Sequence, residues 1–160
     1  MSTIKYTSPV GDTLISATGG FITQLYFVGG RTTPENLKET SVTGENANVL
    51  ALLVAELDAY FAGALKEFTV PVNPVGTAFR KTVWDALCTI PYGETISYKQ
   101  LAQRINNPAA IRAVGGANHN NPISIIIPCH RVIGADGKLV GYGGGLDAKE
   151  FLLEHEKKYM

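Results

Sequence analysis

Cys129 stands between a proline and a histidine in the run Pro128-Cys129-His130-Arg131-Val132. A cysteine is a nucleophile as thiolate, and a nearby imidazole is one usual means of generating that form. The preceding run, Ile123-Ser124-Ile125-Ile126-Ile127, is branched and apolar. It predicts a buried strand that delivers the thiol at its end. Pro128 lacks an N–H, fixes its own φ and keeps Ile127 extended. Side chains of adjacent residues in an extended chain point to opposite faces. Cys129 and His130 can therefore cooperate only if the chain turns there or a water bridges them. A free cysteine is commonly just a small buried apolar residue, so the pentapeptide needs support from the rest of the chain.

The elements that must hold it fall into two groups. Ile4–Thr7, Thr13–Ala17 and Phe21–Phe27 alternate like strands and are separated by Gly11-Asp12 and Gly19-Gly20, which predicts a small antiparallel sheet. Residues 29–46 read as a loop. A helix over about 48–62 carries Leu50, Leu53, Val54, Leu57 and Phe61 on one face. Glu67–Val72 is a further strand candidate, and Asn73-Pro74-Val75-Gly76 a linker. The expected division is residues 1–76 and 77–160.

Beyond the linker the pattern is helical. Thr77 caps a helix with Phe79, Val83, Trp84 and Leu87 inward, and Cys88 is expected in the core. Ser97-Tyr98-Lys99-Gln100 has the form of a capping box, with Leu101, Ala102 and Ile105 as its apolar stripe. Asn107 is expected to cap the next helix, with Pro108 as its first residue. Two short helices joined by a tight turn make either a helix-turn-helix or an ordinary αα-hairpin. The second contains Arg112-Ala113-Val114-Gly115-Gly116-Ala117, and paired helical glycines cost roughly 1 kcal/mol each relative to alanine. Something must come close to that backbone: a nucleic acid, or a packed neighbouring helix. Gly141-Tyr142-Gly143-Gly144-Gly145 exposes N–H groups and is mobile unless held. Asp147 is expected to cap a final helix, with Glu150 at its third position.

The bulk properties narrow the class. The chain has 160 residues, 45% hydrophobic and 18% charged, as in a soluble globular protein. Apolar runs fall short of the roughly 18 residues a membrane helix requires, and the N-terminus lacks a signal-peptide core. Two cysteines, Cys88 and Cys129, leave no disulfide framework and fit a reducing cytoplasm. Fourteen basic and fourteen acidic residues balance. That argues against a strongly electrostatic DNA binder but allows a local contact patch.

Taken together, Ile90–Tyr98, Arg112–Ala117, Asn121-Pro122, Ile127–Ile133 and Gly141–Leu146 resemble the O6-alkylguanine-DNA alkyltransferases, the methylated-DNA–protein-cysteine methyltransferases, over about residues 77–156. The first 76 residues resemble that family only in general pattern. The resemblance implies an RNase H-like α/β unit with a small sheet and helix, then a mostly helical unit with a winged helix-turn-helix. It implies repair of O6-alkylguanine, and less readily O4-alkylthymine, in duplex DNA by irreversible transfer of the alkyl group to Cys129, once per molecule.

The resemblance also assigns residue roles. His130 would deprotonate Cys129 through a water, and Glu156 would hold the imidazole tautomer, as in a hydrolase triad. Asn121 would brace the cysteine turn. Tyr98 would assist nucleotide rotation and give a proton to the departing guanine. Because duplex DNA hides O6, the nucleotide must be flipped out. Arg112 would fill the vacated stack, while Ala113, Gly115 and Gly116, with Lys99 and Asn107 nearby, would meet the minor groove. Val132 carbonyl, Tyr142 and the Gly143 N–H would hold the flipped base. Gly143 stands where some relatives have serine, so a hydroxyl is lost and the N–H kept. No cofactor is implied. Some relatives hold zinc in the N-terminal unit, but the histidines here are His119, His130 and His155 and the first 76 residues lack cysteine, so no metal is expected. A monomer is expected.

Two other classes compete. Alkyltransferase-like proteins only bind lesions and have tryptophan in place of the cysteine, which Cys129 opposes. A cysteine hydrolase using Cys129, His130 and Glu156 would turn over and would have no use for Arg112 beside paired glycines.

Overall fold

A computed structural model describes all 160 residues. Strands β1 (Ser2–Ser8), β2 (Gly11–Thr18) and β3 (Phe21–Phe27) form an antiparallel sheet in that order. Ile15, Ala17, Ile22, Leu25 and Phe27 point inward and are buried. Helix α1 (Glu45–Phe61) covers the sheet with Leu50, Leu53 and Leu57 buried as its apolar stripe predicts, while Val54 and Phe61 of that stripe are half-buried and Tyr60, outside it, is buried.

The far edge of β3 is where the two halves of the chain meet. It makes isolated parallel bridges to Val72 and to Ile123. Glu67–Val72 is therefore not a strand. The Glu56 carboxylate on α1 accepts from the N–H groups of Thr69 at 3.0 Å and Val70 at 2.8 Å, so those donors are turned toward α1 rather than a neighbouring strand.

Helix α2 (Ala78–Leu87) starts at Thr77, whose hydroxyl accepts from Arg80 N at 3.2 Å. Cys88 is exposed rather than core, because it falls one residue past the helix, at its C-cap. The Trp84 indole donates to Ala117 O at 2.9 Å and ties α2 to the helix that carries Ala117. Helix α3 (Tyr98–Arg104) has the capping box expected of Ser97 and Gln100. Helix α4 (Ile111–His119) starts at Ala110, without a side-chain cap. The expectation for Asn107 and Pro108 fails because Asn106 takes a left-handed φ of 56° and the chain makes one more turn, closed by Ala110 N to Asn107 O at 3.0 Å.

Helices α3 and α4 are the two helices of a helix-turn-helix. Beside them, β4 (Ile96–Ser97) and β5 (Val132–Ile133) pair in parallel. The last helix, α5 (Leu146–Lys158), has Gly145 at its N-cap and Asp147 inside its first turn. Asp147 is thus not the cap; Gly145, with φ 93°, makes the turn that a side-chain cap would otherwise stabilise. One continuous buried cluster runs from the sheet to α5.

Candidate active site

The expected strand Ile123–Ile127 is instead a tight turn. Only Ile123 bridges to β3, and Ile125 has φ 73°, a strained value for a β-branched residue. The run is buried as expected apart from a half-buried Ile126; Ser124 N donates to Leu25 O of β3 at 3.1 Å, while the N–H groups of Ile123, Ile126 and Ile127 are bonded within the turn. Asn121 Oδ1 accepts from Ile123 N at 3.0 Å and its Nδ2 donates to Ile127 O at 2.8 Å. Asn121 thus spans the turn with one amide. Pro128 then leads into a single 3-10 turn, Cys129–Arg131. The chain turns at the cysteine, so Cys129 and His130 do not lie on opposite faces of a strand.

His130 is fully buried, and its Nε2 lies 2.7 Å from Glu156 Oε2. With the proton on Nε2, that nitrogen donates to the carboxylate and Nδ1 keeps its lone pair. Nδ1 is buried and meets no hydrogen-bonding group of the protein. Burial lowers the His130 pKa against the pull of Glu156, so the ring is neutral at neutral pH and able to accept a proton. Burial likewise raises the Cys129 thiol, while the Asn121 amide and the Lys149 charge oppose it. Cys129 is thus a thiol that must be deprotonated as it reacts.

Glu156 is the most heavily bonded group of the site. Burial alone would raise its pKa, but His130 and Arg131 outweigh it and hold the carboxyl well below the usual carboxylate range. Arg131 grips both oxygens, Nε to Oε1 at 2.8 Å and Nη2 to Oε2 at 3.1 Å. Tyr60 OH donates to Oε2 at 2.6 Å and Gly93 N to Oε1 at 3.3 Å.

Lys149 is fully buried and donates to the carbonyls of Val132 at 2.7 Å and Val140 at 2.9 Å. Burial pushes its pKa down to about 8, and Cys129 opposes the shift. Near neutral pH it remains largely a cation that favours a Cys129 thiolate. Val132 carbonyl thus already has one donor and keeps a second lone pair.

Tyr98 donates to Val140 O at 3.3 Å. Its phenol is raised by burial and then by the nearby Cys129. It lines a cleft of about 310 Å³ with Gly115, Asn118, His119, Val140 and Gly141, within the size range of small-ligand sites. The glycine-rich segment is held, not loose. Tyr142 is buried against Phe27 with ring centroids 5.7 Å apart, and Gly143 O accepts from Arg31 N at 3.3 Å. The Gly143 N–H donates to no backbone carbonyl.

A packed neighbouring helix does not account for Gly116 on α4. A Cβ on Gly116 would meet nothing within 4 Å, and one on Gly115 only Tyr98 at 3.9 Å. Gly116 thus has no helix against it, while Gly115 faces the Tyr98 ring of α3 at ordinary contact distance. Arg112, Ala113 and Gly116 face solvent, as do Lys99 on α3 and Asn107 in the turn. The inner side of α4 supports the cysteine turn, with Asn118 Nδ2 3.5 Å from Cys129 O.

The site therefore brings Cys129, His130, Glu156, Asn121, Tyr98, Val132 and Tyr142 together and leaves Arg112 and its neighbours on an outer face. Sequence reasoning gave no role to Tyr60, Arg131, Lys149 or Asn118. One signal was available for Lys149: it shares an i, i+3, i+7 face with Leu152 and Glu156, the inward face of α5.

The fold and site set a buried free cysteine and an imidazole paired with a carboxylate behind a helix-turn-helix, and comparison with known proteins gives the family. Residues 78–158 match the 6-O-methylguanine DNA methyltransferase DNA binding domain, and residues 1–74 the ribonuclease-like domain of the same family. The chain belongs to the 6-O-methylguanine DNA methyltransferase family. It is 49% identical over 150 residues to the methylated-DNA–protein-cysteine methyltransferase of Mycobacterium leprae, covering 94% of this chain and 88% of that protein. The protein of that name in Methanosarcina barkeri is 48% identical, with 94% and 93% covered. Among solved structures, Mycobacterium tuberculosis OGT in complex with DNA superposes with a TM-score of 0.89 at 45% identity, covering 99% of this chain and 94% of that one.

Proposed function

We propose that this chain is a direct-reversal DNA repair protein that takes the alkyl group of O6-alkylguanine onto Cys129 and acts once. One observation carries the reading: the helix that presents Arg112 and an uncovered Gly116 to solvent meets, from its inner side, the turn bearing Cys129 and His130, whose ring is paired with Glu156 of α5. A hydrolase has no use for that outer face.

In the proposed mechanism, the Cys129 proton passes through one water to His130 Nδ1, and Glu156 stabilises the imidazolium that results. Lys149 lowers the cost of the thiolate. Sγ attacks the alkyl carbon, the S–C bond forms and the C–O6 bond breaks, and its electron pair leaves with guanine. Tyr98 gives that guanine a proton and is reprotonated afterwards from solvent. Gly143 N–H and Val132 O supply the donor and acceptor for the flipped base, with Tyr142 beside them. Asn121 keeps the turn fixed. The thioether formed has no route back, so the protein is consumed.

The same proposal places α4 in the minor groove of duplex DNA, with Arg112 in the gap left by the flipped nucleotide and Lys99 and Asn107 toward the backbone. It takes residues 1–76 and 77–160 as two units, the protein as a monomer, and the cytoplasm as its place. No helix is long and apolar enough to cross a membrane.

Two experiments test the DNA side. Arg112→Ala is expected to slow repair in duplex DNA by about ten- to a hundredfold while reaction with the free alkylated base changes little, because only the duplex requires flipping. Equal slowing of both would remove the flipping role. Gly116→Gln places a good helix former in open space, so thermal stability should hold or rise, by at most about 1 kcal/mol. Its bulk should hold the duplex off and weaken DNA binding by about tenfold. Unchanged DNA affinity would mean that this face is not the contact.

A further inference from the structure

We propose that Tyr60 is a positioning residue for alkyl transfer: reaching in from α1, its hydroxyl fixes the Glu156 carboxylate so that His130 keeps its proton on Nε2 and its base on Nδ1. This rests on the alkyl-transfer reading and adds to it a side chain from the far end of α1, outside the cysteine turn and the helix-turn-helix.

Tyr60 is fully buried, and its hydroxyl donates to Glu156 Oε2 at 2.6 Å, the oxygen that also faces His130 Nε2 at 2.7 Å. Its own carbonyl lies 2.7 Å from Nε2 of His155, the residue before Glu156. One residue of α1 thus tethers two consecutive residues of α5. The ring is packed by Phe61, Phe68, Tyr92 and His155, with centroids 5.1 to 6.2 Å away. Phenylalanine would fill this space equally well, so packing does not explain the hydroxyl.

The hydrogen-bond logic does. Burial, then the Glu156 charge, push the Tyr60 phenol far up, so it acts only as a donor to this carboxylate. An oxygen receiving a proton from Tyr60 remains an acceptor toward His130, which fixes the imidazole tautomer. The charged and titratable groups around this relay are Tyr60 from α1, Tyr92 from the loop after α2, Cys129, His130 and Arg131 from the 3-10 turn, Tyr142 from the glycine-rich segment, and Lys149 and His155 on α5. Arg131 and Lys149 disfavour a charged His130, and Glu156 favours it. Without the Tyr60 donor the carboxylate charge is less compensated, so it favours the imidazolium more and the His130 pKa rises.

The test compares wild type and Tyr60→Phe in single-turnover transfer from duplex O6-methylguanine across about pH 5 to 9, with DNA affinity and melting temperature measured in parallel. The expected result is a plateau rate lower by about tenfold, an acid limb moved upward by about half a pH unit and unchanged DNA affinity. A lower rate with an unmoved acid limb marks a structural role and overturns the proposal. A variant identical to wild type overturns it alone; a wild type that transfers nothing overturns the alkyl-transfer reading with it. Should Tyr60→Phe not fold, the ¹⁵N shifts of the wild-type His130 ring decide: a proton on Nε2 supports the proposal, and one on Nδ1 overturns it.

Discussion

Cys129→Ser is expected to abolish alkyl transfer and leave DNA binding in place. A serine hydroxyl is nearly isosteric with the thiol, so the turn braced by Asn121 should close as before. Cys129 is 5% exposed, and exchanging the sulfur for oxygen there should change stability by no more than about 1–2 kcal/mol. Reactivity changes far more. A neutral imidazole can take a thiol proton outright, whereas a serine hydroxyl is a far weaker acid and a poor nucleophile toward a saturated carbon, so transfer should fall by about a thousandfold or more. The outward face of α4, with Arg112, Ala113 and Gly116, is untouched. Binding to duplex DNA carrying one O6-methylguanine should therefore match wild type within about threefold. Loss of binding together with transfer would make the cysteine structural. Transfer persisting near the wild-type rate would place the acceptor elsewhere, with Cys88 the first candidate.

Glu156→Gln should cost both chemistry and stability. The carboxylate receives Arg131 on both oxygens, His130, Tyr60 and Gly93. Glutamine keeps the shape but removes the charge, leaving Arg131 buried without its counter-ion, and its amide N–H₂ confronts donors. Breaking a buried pair in this way costs about 3–5 kcal/mol, a large part of a small domain's stability. The pH dependence has a definite sign. The Glu156 pKa is depressed in the fold, so its stabilisation is complete above the unfolded carboxylate value of about 4.3 and is lost as pH falls from there toward the folded value. Denaturant unfolding of wild type and Glu156→Gln should differ most at neutral pH and converge in acid. A constant difference across that range would mean that the charge of Glu156 is not what holds the network.

The regular elements were legible because local pattern specifies them. Alternation and Gly-containing turns gave the three strands, the apolar stripe gave α1, and Thr77 and Ser97 capped the helices they were expected to cap. The misreadings share a cause. Ile123–Ile127 has strand composition, yet a buried side chain of Asn121 replaces the ladder bonds and lets the chain turn at Ile125. Asn107 and Asp147 are good capping residues, but the turns at Asn106 and Gly145 shift where the helices begin. At Ile123–Ile127 burial was legible and backbone direction was not; at Cys88 even burial was misread, because it falls one residue past its helix. At the site, Cys129, His130 and Glu156 followed from motif resemblance. The partners that determine their protonation were only partly legible: Lys149 shares the inward face of α5 with Glu156, but Tyr60 lies 96 residues from Glu156, and nothing in local pattern links those two.

The central claim is that Cys129 accepts the alkyl group and does so once. Intact-protein and peptide mass spectrometry after incubation with duplex DNA bearing a single O6-methylguanine tests it directly. The expected result is one added methyl group, located on Cys129, with unmodified guanine restored in the DNA and no more than one lesion repaired per protein molecule. Repair that continues past one lesion per molecule, or a protein that stays unmodified while the lesion persists, would contradict it.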